Sequence, residues 1–155
     1  MTGDVEVLDQ AGCGLSGRAV ADIVAQVMEA EGVQGLVSVV LVDEATIAGL
    51  NAAYRDLAHA TDVLSFLEEP DEAAWLEPDA RRSLGEIVVC PDVVARYAEE
   101  DGVPYVHQLG WTLVHGALHL LGYDHECDQG QMRARESQLV QRFKEDFPRL
   151  SLERQ

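Results

Sequence analysis

Apolar residues recur along the first part of the chain with two different periods, one typical of strands and one typical of helices. The segment from Val5 to Leu8 predicts a short first strand. Ser16 can cap a helix, because its hydroxyl can accept a hydrogen bond from a backbone N–H of the first turn. After it, apolar residues return every three or four positions up to Gly32, as one face of a helix requires; they are Ala19, Val20, Ile23, Val24, Val27 and Met28.

A second strand and a second helix are predicted next. The run from Leu36 to Val42 is β-branched and almost continuous, which is expected of a strand covered on both faces. Asp43 then predicts the N-cap of a helix. We expect this helix to face the interior with Ile47, Leu50 and Tyr54.

Two more strands are separated by a segment with little periodicity. Thr61 to Phe66 and Leu84 to Cys90 both have the composition of strands. The residues between them, 68–79, are acidic and contain two prolines. We therefore expect a surface loop there.

Three helices are predicted in the last part of the chain. Pro91 suits the first turn of a helix, and Gly102 and Pro104 interrupt the chain before the next one. The predicted helices run from Pro91 to Glu100, from about Tyr105 to Leu121, and from about Gln129 to Phe147. Together the elements predict an α+β fold, a single domain over residues 1–155 with a mixed sheet of about four strands packed with about five helices.

Composition favours a protein of the cytoplasm. The 155 residues, of which 47% are hydrophobic, suffice for one core. The sequence has no apolar run long enough for a membrane span, and its start is acidic where a secretory signal would be basic. Cys13, Cys90 and Cys127 are few, odd in number and far apart, which argues against a disulfide framework.

Three histidines in the string HGALHLLGYDH have the spacing of ligands that close on one metal ion. His115 and His119 lie about one turn apart on a helix, so both imidazoles can point at the same atom. Gly122 can end that helix in a left-handed conformation, which lets His125 approach from a third side. Three imidazoles with a fourth position open to water are typical of catalytic zinc.

The same spacing occurs in zinc peptidases, with one difference. Their general base, the Glu after the first His, is replaced here by Gly116. A peptidase is therefore disfavoured, while a chance arrangement of core and loop histidines, or Cys127 as a fourth ligand, stays open. Asp124 adjoins a ligand, and we expect it to orient that ligand or cap the turn rather than act as a base.

Several segments together closely resemble the YbeY family of bacterial ribosomal-RNA maturation factors, which are metal-dependent single-strand endoribonucleases. The resemblance covers most of the chain. It rests on Asn51, Tyr54 and Arg55, on the string TDVLSF at 61–66, on Leu84-Gly85-Glu86-Ile87, on the histidine string, and on Met132 and Glu136.

The resemblance implies a zinc-peptidase-like metal-binding helix near the C-terminus and a site for one Zn²⁺ per chain at His115, His119 and His125. His115 and Arg55 would be the catalytic residues. Zinc can polarise a phosphodiester and lower the pKa of a bound water towards about 7. The planar fork of Arg55 can bind two phosphate oxygens and stabilise the transition state.

The resemblance also implies partners and a place of action. These are single-stranded RNA, ribosomal RNA, the small ribosomal subunit, a small-subunit ribosomal protein and a ribosome-associated GTPase, with no DNA and no membrane. The implied task is 16S rRNA 3′-end maturation and ribosome quality control. A non-catalytic, zinc-stabilised assembly factor is the alternative, since an acidic surface suits basic ribosomal proteins.

The net charge, the segment 56–60 and residue 86 depart from what the resemblance to this family leads one to expect. The formal net charge of −17 disfavours non-specific attraction to phosphate. The segment 56–60 lacks the family's usual basic residues and proline, and Glu86 stands in place of a more usual Asp.

His59 is a weak candidate for a phosphate contact. His107 lies about 12 Å along the helix from His115, so it cannot share the metal.

Overall fold

A mixed four-stranded sheet organises the chain. The computed structural model describes residues 4–12, 14–55, 60–68, 83–124 and 128–151. Three strands run parallel, and the fourth pairs antiparallel at one edge, next to the last parallel strand. In the order β1-β2-β4-β3, the strands are β1 (Asp4–Asp9), β2 (Leu36–Leu41), β4 (Ser83–Val89) and β3 (Val63–Leu67).

Helices cover both faces of this sheet. Within the described residues they are α1 (Gly17–Ala30), α2 (Glu44–Arg55), α3 (Pro91–Asp101), α4 (Tyr105–Leu120) and α5 (Gln131–Phe143), followed by a 3-10 helix (Lys144–Leu150). The α+β fold with a mixed sheet of four strands and five helices confirms the sequence prediction. None of the described helices is both long enough and apolar enough to span a bilayer.

The β-branched run of β2 supplies side chains to two separate cores. Val37, Val39 and Leu41 point into the larger core, which also contains the buried faces of α1, α4 and α5. Val40 points into a smaller core that includes Ile47 of α2. A strand buried on both faces has no reason to alternate apolar and polar residues, which explains its continuous apolar sequence.

Helix α1 begins and packs as its sequence predicts. The Ser16 hydroxyl accepts a hydrogen bond from the Ala19 N–H at 3.2 Å. All six apolar positions predicted for its inner face are buried. The buried face of α1 therefore packs against α4.

Helix α4 crosses the middle of the molecule, and two glycines let it approach its neighbours closely. A Cβ on Gly110 would lie 2.4 Å from the Phe147 ring. A Cβ on Gly116 would lie 2.9 Å from Ile87 Cγ2 and 3.0 Å from Val63 Cγ2. At the end of the helix Gly122 has φ +105°, the left-handed turn that the sequence predicts.

Two details differ from the sequence predictions. The prediction that Tyr54 faces the interior is wrong, because 69% of this residue is exposed. The helix predicted up to Phe147 ends at Phe143 and continues as the 3-10 helix, which contains Pro148, a residue that cannot donate to an α-helical hydrogen bond. The predicted acidic loop falls almost wholly within 69–82, outside the described residues.

Candidate active site

A cavity of about 1050 Å³ opens between α2, the edge strand β3 and the C-terminal end of α4. It brings together residues that are far apart in the sequence. The polar and aromatic groups that line it are Tyr54, Arg55, Thr61, Asp62, Ser65, Phe66, Glu86, His115, His119, Tyr123 and Asp124. Arg55, His115, His119 and Asp124 thus lie around one space.

The two described histidines of the string are neighbours whose Nδ1 atoms both donate hydrogen bonds. Their ring centroids lie 4.7 Å apart, with the rings inclined at 78°. His115 Nδ1 donates to Glu136 Oε1 at 2.5 Å. His119 Nδ1 donates to the Tyr123 carbonyl oxygen at 3.0 Å. A neutral imidazole that donates from Nδ1 carries its lone pair on Nε2, so this is the tautomer that a metal ion requires there.

The ring of His115 is fixed from two directions. Trp111, one turn earlier on α4, stacks on it with centroids 4.8 Å apart and an interplanar angle of 21°. Glu136, on α5, is only 8% exposed. Sequence reasoning assigned no role to Glu136, although a signal exists: it lies on the apolar face of α5 with Met132, Leu139 and Phe143. A carboxylate on a buried face requires a partner.

A second carboxylate ties the surroundings of His119 to α1. The Tyr123 hydroxyl donates to Glu31 Oε1 at 2.6 Å, and Arg135 Nε donates to Glu31 Oε2 at 2.7 Å. The hydrogen bond to Glu31 raises the pKa of Tyr123, so its hydroxyl stays a donor. Glu31 therefore connects the turn that holds His119 to the helix that carries Glu136.

Gly116 faces the sheet and not the cavity centre. Its Cα is packed against Ile87 and Val63, and its carbonyl oxygen accepts a hydrogen bond from Ser65 Oγ at 2.8 Å. The position that supplies the general base in zinc peptidases is therefore closed by side chains of β3 and β4.

Asp62, in the TDVLSF string, is a partly buried carboxyl group at the cavity wall. Its Oδ1 accepts from Thr61 Oγ1 at 3.3 Å. Burial raises the pKa of Asp62, although backbone hydrogen bonds act in the opposite direction. Carboxyl groups kept in such surroundings are common at functional sites.

The remaining predicted site residues either lie away from the cavity or fall outside the described residues. His107 lies against Phe147, edge to face at 5.8 Å between ring centroids, and does not line the cavity. His59, His125 and Cys127 lie outside the described residues. Within the part of the chain that the structure describes, no three potential ligands form a metal-binding group. The chemistry of the two neutral imidazoles nevertheless fits a borderline-soft ion such as Zn²⁺.

Known proteins resemble this chain along most of its length. Residues 14–144 match the family model described as Endoribonuclease YbeY. An Endoribonuclease YbeY from Roseiflexus castenholzii is 40% identical over 142 residues, which cover 88% of this chain and 89% of that protein. One from Moorella thermoacetica is 45% identical over 118 residues, covering 72% and 76%.

A solved structure shares the fold. The solution structure of TM1509 from Thermotoga maritima matches with a TM-score of 0.61 and 27% sequence identity, over 91% of this chain and 90% of that one. The family model and the relatives agree along most of the sequence. The chain therefore belongs to the endoribonuclease YbeY family.

Proposed function

We propose that residues 1–155 form one catalytic domain, a zinc-dependent endoribonuclease that cuts single-stranded RNA. The observation that carries the proposal is the pair His115 and His119, which share one cavity with Arg55 and whose Nδ1 atoms are both engaged. Membership in a family of endoribonucleases supports RNA as the substrate.

In this proposal α4 is the metal-binding helix. His115 and His119 would hold Zn²⁺ through Nε2, and His125 would be the third ligand. Zinc, when bound, supplies a Lewis acid for a phosphodiester oxygen. Glu136 and the Tyr123 carbonyl keep the two rings in the required tautomer, and Asp124 would orient a ligand from the turn.

Arg55 would bind the scissile phosphate. It lies at the end of α2, is exposed and lines the same cavity. A guanidinium can donate to two phosphate oxygens at once, and its charge stabilises the additional negative charge of the transition state. His59, which follows Arg55 closely in the sequence, would be a secondary phosphate contact.

The cellular role would be 16S rRNA 3′-end maturation and ribosome quality control in the cytoplasm. The proposed partners are ribosomal RNA, the small ribosomal subunit, one of its proteins and a ribosome-associated GTPase. The formal charge of −17 favours docking on basic ribosomal proteins over non-specific attraction to RNA.

The test is metal analysis of protein purified without chelator, paired with cleavage of single-stranded and duplex RNA. We expect about one zinc per chain and cleavage of the single strand that is lost on metal removal. His115→Ala and Arg55→Ala should remove cleavage, while His107→Gln and Arg96→Ala, outside the cavity, should not. Equal cleavage by metal-free protein or by His115→Ala would contradict the proposal.

A further inference from the structure

Exposed apolar side chains are concentrated at the cavity. Among the described residues, the large hydrophobic side chains that are exposed are Leu8, Tyr54 and Leu67, at 43%, 69% and 59%. Tyr54 and Leu67 line the cavity, and Leu8 lies on β1, at the opposite edge of the sheet. Exposed apolar area next to a cavity indicates that a ligand covers it.

The Tyr54 ring is held in place although most of it is exposed. Phe66, on β3, contacts it edge to face with centroids 5.1 Å apart and an interplanar angle of 67°. Phe66 itself packs against the smaller core. A ring that is already positioned loses little side-chain entropy when a flat ligand stacks on it.

The chemistry around Tyr54 matches a nucleotide. Arg55, the next residue, lines the same cavity and can pair with a phosphate. An unpaired base exposes its face to an aromatic side chain, whereas a base inside a duplex is already stacked on its neighbours. In other RNA-binding proteins, basic side chains provide much of the affinity for RNA. In a chain of formal charge −17, base stacking has to provide part of it instead.

We propose that Tyr54, supported by Phe66, is the stacking platform for one unpaired nucleobase next to the phosphate bound by Arg55. This inference rests on the proposed function, because the base belongs to the RNA that the same cavity would cut. It gives the preference for single strands a physical origin: the platform accepts only a base that has left its stack.

The test is the steady-state kinetics of the zinc-loaded protein on a short single-stranded RNA. We expect Tyr54→Ala to raise KM about tenfold with little change in kcat, the size of one base-aromatic stacking contact. Tyr54→Phe keeps the ring and should therefore raise KM much less than Tyr54→Ala does. Leu8→Ala is the matched control for loss of an exposed apolar side chain.

A series of RNAs with one abasic position each identifies the base. For the wild type, one position should raise KM about tenfold, and the same position should have no further effect on Tyr54→Ala. If an abasic position raises KM equally in both proteins, or if Tyr54→Ala has the KM of the wild type, Tyr54 is not a stacking platform. Either result would leave the proposed function intact. If the wild type cuts no RNA, the proposed function and this inference both fall.

Discussion

Glu136 Oε1 lies 2.5 Å from His115 Nδ1, so a buried carboxylate on α5 holds a histidine on α4. The two residues are 21 positions apart in the sequence. Their contact means that the orientation of a proposed metal ligand depends on how the last helix packs.

The first prediction concerns this contact. Glu136→Gln replaces a charged acceptor by a neutral one, and we expect the zinc dissociation constant to rise by about tenfold or more. Competition with a chromophoric chelator measures the constant independently of activity. Glu145→Gln, on the exposed side of the C-terminal 3-10 helix, is the control. Wild-type zinc affinity in a folded Glu136→Gln variant would contradict the positioning role.

The second prediction concerns Glu31. Glu31→Gln removes the negative charge between Tyr123 and Arg135, whose side chain is only 29% exposed. We expect the free energy of unfolding to fall by about 1–3 kcal/mol, because a partly buried charge loses its partner. Urea denaturation measures this change.

A matched ion pair on the surface provides the comparison for Glu31. Arg96 and Glu44 lie 3.2 Å apart with side chains 51% and 43% exposed. Glu44→Gln should change the free energy of unfolding by less than about 1 kcal/mol. Equal losses in the two variants would show that the Glu31 contacts are no stronger than a solvated pair.

The third prediction concerns the glycine that faces the sheet. Gly116→Ala places a Cβ 2.9 Å from Ile87 Cγ2 and 3.0 Å from Val63 Cγ2, so we expect a loss of about 1–3 kcal/mol of stability. Gly49→Ala, in α2 with no atom within 4 Å of the new Cβ, should instead stabilise by up to about 1 kcal/mol. Thermal unfolding of both variants measures the contrast. A Gly116→Ala variant as stable as Gly49→Ala would contradict the close packing.

The fourth prediction concerns pH. Burial raises the pKa of Asp62 above its ordinary value of 3.8, so the folded state binds this proton more tightly than the unfolded state does. The resulting stabilisation is complete below the unfolded pKa and is lost as the pH rises through the folded pKa. Asp62→Asn should therefore be more stable than the wild type at pH 7, and the difference should shrink towards pH 4.

Urea denaturation of metal-free protein across this pH range tests the prediction for Asp62. Asp22→Asn, at an exposed position of α1, serves as a comparison. A difference between Asp62→Asn and the wild type that is the same at every pH would exclude a titrating carboxyl group as its cause.

Local features of the fold could be predicted from the sequence. Ser16 and the apolar face of α1, Pro91 at the start of α3 and the left-handed Gly122 all depend on neighbours within a turn or two. The strand order β1-β2-β4-β3 could not be predicted in this way, because strand pairing joins residues that are distant in the chain.

The candidate site also combines features that the local sequence predicts with features that depend on distant contacts. Periodicity placed His115 and His119 on one helix face, but it could not reveal that Glu136 would reach one of them. Periodicity also put Tyr54 on the inner face of α2. The smaller core includes Ile47, and Leu50 packs against it, but it does not cover the last turn of the helix, so the Tyr54 ring is left exposed.

The close packing around Gly116 determines what the introduction of a peptidase-type glutamate would require. A glutamate introduced there would have to displace Ile87 and Val63 or push α4 away from β3 and β4. Either movement would break the Ser65 hydrogen bond to the Gly116 carbonyl and shift His115, the preceding residue. A peptidase-type base and this histidine geometry therefore exclude each other. To gain the base, the protein would have to widen the distance between α4 and the sheet, which a single substitution at Gly116 does not achieve.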